Sequence, residues 1–533
     1  MKKIFNIFAA TVALLSATSC GDFLEPNSTS EFVPKDAVSL NELLLGEAYQ
    51  RNDMTGFNIF LNLLDDDIEA APYQTPTDGF EAEKYLAAFT WQPDMFEMME
   101  EAAAGHTNIY QSYYEVILGA NAVIDYIPNV VDTEDNINKV KAQAYALRGF
   151  YYFNLVNIFG KPYNSDSTAL GVPLKLQSGI EPSDDYPKRK TVAEVYAQIL
   201  SDLHTAEATY LELPESEQWS DNYRTSLPMV QLMLSRTYLY MEDWTNAAKY
   251  AGYVIQDKNF KLDDMNDILL YGNDVNGKTI RNYASFSSYK SRETIWLYGS
   301  ISDMFEWTYS YLTATNTVTG SRMYPYFQAS EELLNTFVDY DLRLNRYIVK
   351  SPMGDTNEQM YMAYGKVNIG YTTLKNGTTE IDYYLPKAAT GEFGRSLRLS
   401  EAYLNYAEAL AMTGDINGAA DALNTLREKR FDPEDFEEET FSSQEELIQF
   451  VRDERRRELC FEGHRWFDLR RWGIASKTLN EFFKTEKTVE YEGQAYATYY
   501  GDAFYTAGKH EFYPIPYNQL HYVPGLYTQN KEY

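Results

Sequence analysis

The sequence predicts a mainly α fold: a tetratricopeptide-like helical-repeat scaffold carrying long irregular loops and a few short strands. Three observations predict it. Apolar residues recur at intervals of three and four through 109–127 and 140–159, the signature of amphipathic helices. Two later segments, 227–255 and 397–430, look alike. Between them, 261–394 is rich in Gly, Asn, Thr and Ser, with one amphipathic stretch at 331–338.

The chain opens with Lys2 and Lys3, then an apolar run from Ile4 to Leu15 broken only by Asn6 and Thr11, then Ser16, Ala17, Thr18, Ser19 and Cys20. A basic start, a short apolar run and small residues at its exit describe a secretory signal peptide over 1–19. A cysteine straight after them points to lipid attachment at Cys20. Ala17 stands where such sites prefer Leu, so plain cleavage leaving a soluble periplasmic protein is the alternative. Residues 20–38, with Pro26, Asn27, Ser28, Thr29, Ser30 and Pro34, read as a tether.

From 39 to 533 the chain reads as a single domain, with helical units within 109–255 and 397–480. In the first helix Tyr110, Tyr113, Ile117, Ala120 and Ile124 form the stripe. In the second, Ala144, Leu147, Tyr151, Leu155 and Ile158 do so, and Gly160 and Pro162 stop it. The two similar segments each break at an acidic turn, Glu242-Asp243 and Gly414-Asp415. Alanine pairs follow, Ala247-Ala248 and Ala419-Ala420, and let antiparallel helices approach closely in units of about 34 residues. In the insertion, 294–298 is the best strand. A long irregular insertion in a helical scaffold is where function tends to sit.

Lys+Arg number 46 against 78 Asp+Glu, a formal net charge of −32. Such a surface repels phosphate backbones, which argues against nucleic-acid binding. Of the two cysteines, Cys460 has no intramolecular partner if Cys20 is acylated. The five histidines show no ligand spacing, so neither a metal site nor a cofactor is expected. The 46 Tyr and 7 Trp offer flat faces and polar edges that suit sugar rings, although most are expected in helix seams. Trp307, Tyr309 and Tyr311 alternate in a polar context, Tyr324 and Tyr326 flank Pro325, and Tyr73 and Trp91 lie in an early Pro- and Thr-rich loop. From this set Trp307, Tyr309, Tyr311 and Tyr324 are the leading ligand-binding candidates, with Tyr73 and Trp91 behind them.

The densest charged stretch, 455–473, reads RRRELCFEGHRWFDLRRWG. Paired carboxylates can serve glycoside hydrolysis, but carboxylates crowded by arginine are held ionised. Glu454, Arg455, Glu458, Arg465, Asp468 and Arg471 are therefore expected to form a structural ion-pair network. Glu454 and Glu458 are expected to be buried against arginines such as Arg455, Arg465 or Arg471. No catalytic residue is assigned, and the chain is not read as an enzyme.

This stretch resembles the C-terminal motif of the SusD/RagB family, through Glu454, Arg455, Glu458, Leu459, Glu462, Gly463, Arg465, Asp468, Leu469 and Arg471. The likeness continues in Cys20, Asp22, Phe23 and Leu24, in Ala146-Leu147-Arg148 through Phe159-Gly160, and in Leu397-Arg398-Leu399. It ends in Tyr513-Pro514-Ile515-Pro516 and Gln529-Asn530. The resemblance spans essentially the whole chain. It implies a lipid-anchored, surface-exposed protein of the bacterial outer membrane that captures oligosaccharide or polysaccharide. The partner it implies is a TonB-dependent, SusC-like transporter. A peptide binder of the RagB type would share these motifs, and the repeats alone would also suit an adaptor for other surface lipoproteins.

Overall fold

The computed structural model describes residues 32–50, 57, 61–70, 88–89, 91, 95–101, 108–179, 187–219, 221–268, 286, 288–300, 327–352 and 393–484. It also gives the backbone of short strands at 271–273, 279–281, 310–312, 322–324, 359–362, 369–375, 381–388, 489–491 and 494–496. Cys20 and the segment read as signal peptide lie outside the described residues.

Helix α1, Ala37–Leu43, opens just inside the stretch read as tether. Asp36 caps it, accepting from the Ser39 backbone N–H while the Ser39 hydroxyl answers the Asp36 N–H. Eight helices then form the body: α2 Ile109–Tyr126, α3 Glu134–Phe159, α4 Val192–Leu211, α5 Leu227–Tyr240, α6 Trp244–Gln256, α7 Leu399–Thr413, α8 Ile416–Arg427 and α9 Gln444–Leu459. Each packs on the next, and α9 lies on both α7 and α8. The stack is continuous in space although some 140 residues of chain separate α6 from α7. Such nearest-neighbour packing makes a solenoid-like layer.

Helix α3 begins at Glu134, earlier than its apolar stripe suggests. Thr133 caps it and Glu134 and Asp135 fill the first turn, where acidic groups meet the helix dipole. Those solvated turns carry no apolar period, so the sequence pattern does not register them. The stretch 331–338 is helical only over Glu331–Leu334. Its end tightens into three-residue bonds, Thr336 N–H to Leu333 O at 2.9 Å and Phe337 N–H to Leu334 O at 3.2 Å.

Two repeats share one turn. Glu242 (φ 61°) and Gly414 (φ 85°) both take the left-handed conformation. Asp243 and Asp415 follow, each capping the next helix with φ −82°. In each, the Asp side chain accepts from the N–H three residues on.

Among the described residues all strands occur as two-stranded antiparallel ribbons. Two of them fix the loops. Strand β2, Thr294–Ser300, pairs with β4, Phe393–Arg398, with Arg395 opposite Tyr298 and Phe393 opposite Ser300. The insertion therefore leaves and re-enters the body through one closed root. Strand β1, Ile68–Ala70, pairs with β3, Phe327–Ala329, with Ile68 opposite Ala329 and Ala70 opposite Phe327. That ribbon joins the early loop to the insertion. Among the described residues no helix is long and apolar enough to cross a membrane.

Candidate functional site

Helix α9 places Glu454 and Glu458 one turn apart on a fully buried face. Glu454 accepts from Arg343 Nη1 at 2.6 Å and from Arg457 Nη2 at 2.8 Å. Glu458 accepts from Arg398 Nη1 at 2.7 Å, Arg343 Nη1 at 3.1 Å, Arg430 Nε at 3.1 Å and the Tyr347 hydroxyl at 2.9 Å. Arg430 and Arg398 also grip Glu293, at 2.7 and 3.2 Å, and Ser400 donates to the same carboxylate. Arg343 reaches back to Asp341 at 2.8 Å.

The arginines expected as partners go elsewhere. Arg455 donates to Asp468 at 2.8 Å and Asn405 at 2.8 Å. Arg471 clamps Glu408 with two bonds of 2.6 Å and Asp468 with one of 2.8 Å. Arg465 holds Asp66 at 2.7 and 2.8 Å. The reason is angular. Arg455 stands about 100° round α9 from Glu454, so it faces α7 and the following helix α10, Arg465–Arg471, instead.

These bonds set the protonation states. Burial raises the Glu454 carboxyl, but Arg343 and Arg457 outweigh it and hold the pKa down at about 2. Burial likewise raises Glu408, and Arg471 brings it down to about 2. Glu458 lies well below the usual carboxylate range, burial being overcome by Arg430, Arg398 and Arg343. Burial first, then the Arg236 and Arg455 charges, push His464 well below its ordinary value. A carboxylate locked in its ionised form cannot deliver a proton as a general acid.

The network ties the loops to the helices. Glu293 precedes β2, Arg398 ends β4, and Arg343 and Tyr347 come from the insertion's interior. Arg456 of α9 binds Asp67 at 2.7 Å and Asp66 at 3.1 Å, just before β1. Ser330, after β3, donates its hydroxyl to Asp66 O at 2.6 Å and its N–H to Asp67 O at 2.9 Å. The sequence shows Arg398 only as a motif letter and does not single out Arg343, Arg430 or Glu293. Their partners are too distant in the chain for any local period to show them.

Of the aromatic candidates, Trp91 is corrected. It is fully buried, with its ring 5.6 Å from that of Trp466 on α10. Its Pro- and Thr-rich neighbourhood looked like an open loop, but the indole is core. Tyr311 and Tyr324 occupy successive rungs of one ribbon, Tyr311 opposite Met323 and Tyr324 opposite Ser310. Trp307, Tyr309 and Tyr73 lie outside the described residues. A separate cavity of about 430 Å³ opens between α5, α7, α9 and α10, where Trp244, Trp472, Arg452, Glu242 and Asn164 line it.

Comparison with known proteins gives one answer along the chain. The profile described as SusD family matches residues 264–533. A second, described as starch-binding associating with outer membrane, matches 52–239. A SusD-like protein of Formosa agariphila is 24% identical over 525 residues, 90% of this chain and 94% of that one. A SusD-like carbohydrate binding protein from Bacteroides vulgatus superposes with a TM-score of 0.64 at 20% identity, covering 94% of this chain and 100% of the other. Surface glycan-binding protein A from Bacteroides uniformis does so with a TM-score of 0.63 at 18% identity, covering 93% and 99%.

Proposed function

The chain belongs to the SusD family, and from that premise we propose that it is a non-catalytic glycan-capture lipoprotein. In this reading Cys20 carries the lipid, and residues 20–38 tether a single domain to the outer face of the outer membrane. Captured glycan passes to a TonB-dependent, SusC-like transporter. The observation that carries the reading is the pinning of the loops: β1, β3 and the β2–β4 root are tied to one helix stack by buried ion pairs. Rigidly held roots let loops present aromatic faces without a large ordering cost on binding. Two similar folds bear carbohydrate- and glycan-binding names, which supports a sugar ligand over a peptide.

The groove would use Trp307, Tyr309, Tyr311, Tyr324 and Tyr73. Grouping Tyr73 with Tyr324 rests on the β1–β3 register. Each stands three positions from the Ala70–Phe327 pair, a chain length of at most ~11 Å. The test is a glycan and peptide array probed with the mature chain carrying Cys20→Ser. Binding to one glycan class, weakened about five- to thirtyfold by Trp307→Ala without a fall in melting temperature, is expected. Neutral sugars release no counterions, so salt should matter little. Selective, salt-sensitive capture of cationic peptides would overturn the glycan reading.

A further inference from the structure

The cavity between α5, α7, α9 and α10 holds an arginine that the ion-pair network does not use. Arg452 lies two residues before Glu454, on the opposite side of α9. Its arginine neighbours are all engaged: Arg455 by Asp468, Arg456 by Asp67, Arg457 by Glu454, Arg465 by Asp66 and Arg471 by Glu408. Arg470 donates to the carbonyls of Asn157 and Gly160. Among the described residues Arg452 has no ion pair, and its Nε is shut off from solvent with no hydrogen-bond partner. Its guanidinium rests 5.0 Å from the Trp472 ring centroid. The carboxylate that bears on it most strongly, Glu408, is already held by both Arg471 nitrogens and by Trp472 Nε1 at 3.0 Å. A half-desolvated cation without an anion is costly unless something supplies one.

The rest of the lining describes what fits. Trp244 and Trp472, both half-buried, offer two indoles to one cavity. Glu242 and Asn164 add hydrogen-bonding groups, tied to each other at 2.8 Å. Glu242 keeps its place at φ 61°, where the matching turn of the other repeat has Gly414. A bulky residue held in the left-handed region is a mark of local function. The volume, about 430 Å³, falls in the ~300–1,000 Å³ range of small-ligand sites.

We propose that this cavity binds a uronate, a pyranose bearing a carboxylate. The carboxylate would pair with Arg452, the ring would lie against Trp244 or Trp472, and a hydroxyl would donate to Glu242. A neutral sugar leaves Arg452 alone. A peptide carboxylate satisfies it but brings no ring hydroxyls for Glu242. On a chain of net charge −32, an anionic ligand needs such a local cation. None of the lining residues belongs to the loop groove proposed above, so the two readings stand or fall separately.

The test titrates the mature chain with sodium glucuronate and with glucose, following tryptophan fluorescence and calorimetric heat. Glucuronate should bind and weaken with added salt, and glucose should bind at least about tenfold more weakly. Arg452→Met should cost a similar factor with the melting temperature retained, and Glu242→Gly should weaken glucuronate on a chain at least as stable. Equal binding of the two sugars by the wild type overturns the proposal whether or not a variant folds. So does binding that survives Arg452→Met, acetate binding as well as glucuronate, or a simple dipeptide binding more tightly.

Discussion

Glu458 stands near the end of α9 with its carboxylate 2.7 Å from Nη1 of Arg398, the last residue of the strand that closes the loop insertion. Both side chains are essentially buried, and Arg398 Nη2 adds a bond to the Glu458 carbonyl at 2.7 Å. One helix turn therefore holds the root through which the insertion returns.

Arg398→Met leaves Glu458, Glu293 and Glu462 short of a shared donor in a dry site. Breaking a buried pair from one side costs about 3–5 kcal/mol. Urea unfolding should show a loss of that order. A loss below about 1 kcal/mol would mean that the root is held by strand pairing alone.

The aspartate run before β1 carries an internal conflict. Burial first, then Asp67 and Asp66, raise the Asp65 carboxyl well above its ordinary value. Burial raises Asp66 as well, but Arg456 and Arg465 outweigh it and hold its carboxyl far below its own ordinary value. A raised carboxyl stays protonated in the fold while the unfolded chain ionises, so stability is lost as pH rises above 3.8. Asp65→Asn keeps the oxygen that accepts from the Asp67 N–H at 2.9 Å. It should raise the melting temperature at pH 8 and gain little at pH 4. A lower melting temperature at pH 8 would show that the Asp65 charge is needed.

The shared turn gives a matched pair. A Cβ at Gly414 would meet nothing within 4 Å, so Gly414→Ala tests backbone conformation alone. It should cost about 1–2 kcal/mol. Glu242→Gly should gain about 1 kcal/mol less its exposed bond to Asn164. Melting curves of both variants check this, and opposite signs are expected.

Acid should unfold the protein in two stages. His464 is neutral in the fold, so protonation of the unfolded chain below 6.5 removes stability as pH falls. Glu454 and Glu408 have folded values of about 2 against 4.5. Their depressed values contribute stability that is complete above 4.5 and lost as pH falls towards 2, each on the order of 3 kcal/mol. With the opposing Asp65 titration removed by Asp65→Asn, melting temperature should be lower at pH 5.5 than at pH 7 and drop steeply below pH 4.5. A melting temperature unchanged from pH 7 to pH 4 would contradict the burial of these groups.

Local signals were legible and distant ones were not. Helix periods, the acidic turns at Glu242-Asp243 and Gly414-Asp415 and the strand at 294–298 follow from neighbours within a few residues, and sequence shows them. The ion-pair role of Glu454 and Glu458 was legible too, from the arginines crowded around them. Their partners were not, because Arg343 and Arg398 reach them across 111 and 60 residues of chain. Trp91 misled for the same reason: its partner Trp466 lies on α10, while its own neighbours resemble a loop. The unused cation at Arg452 was hidden among arginines that sequence cannot tell apart.

The most direct test takes Glu458→Ala and measures its melting temperature together with its affinity for the glycan that the array selects. Glu458 serves the scaffold in this account, so unfolding should cost about 3–5 kcal/mol less than in the wild type. Glycan affinity at a temperature where the variant is folded should stay within about twofold, a few tenths of a kcal/mol. A variant as stable as the wild type that no longer binds glycan would make this carboxylate part of the ligand site and contradict the account.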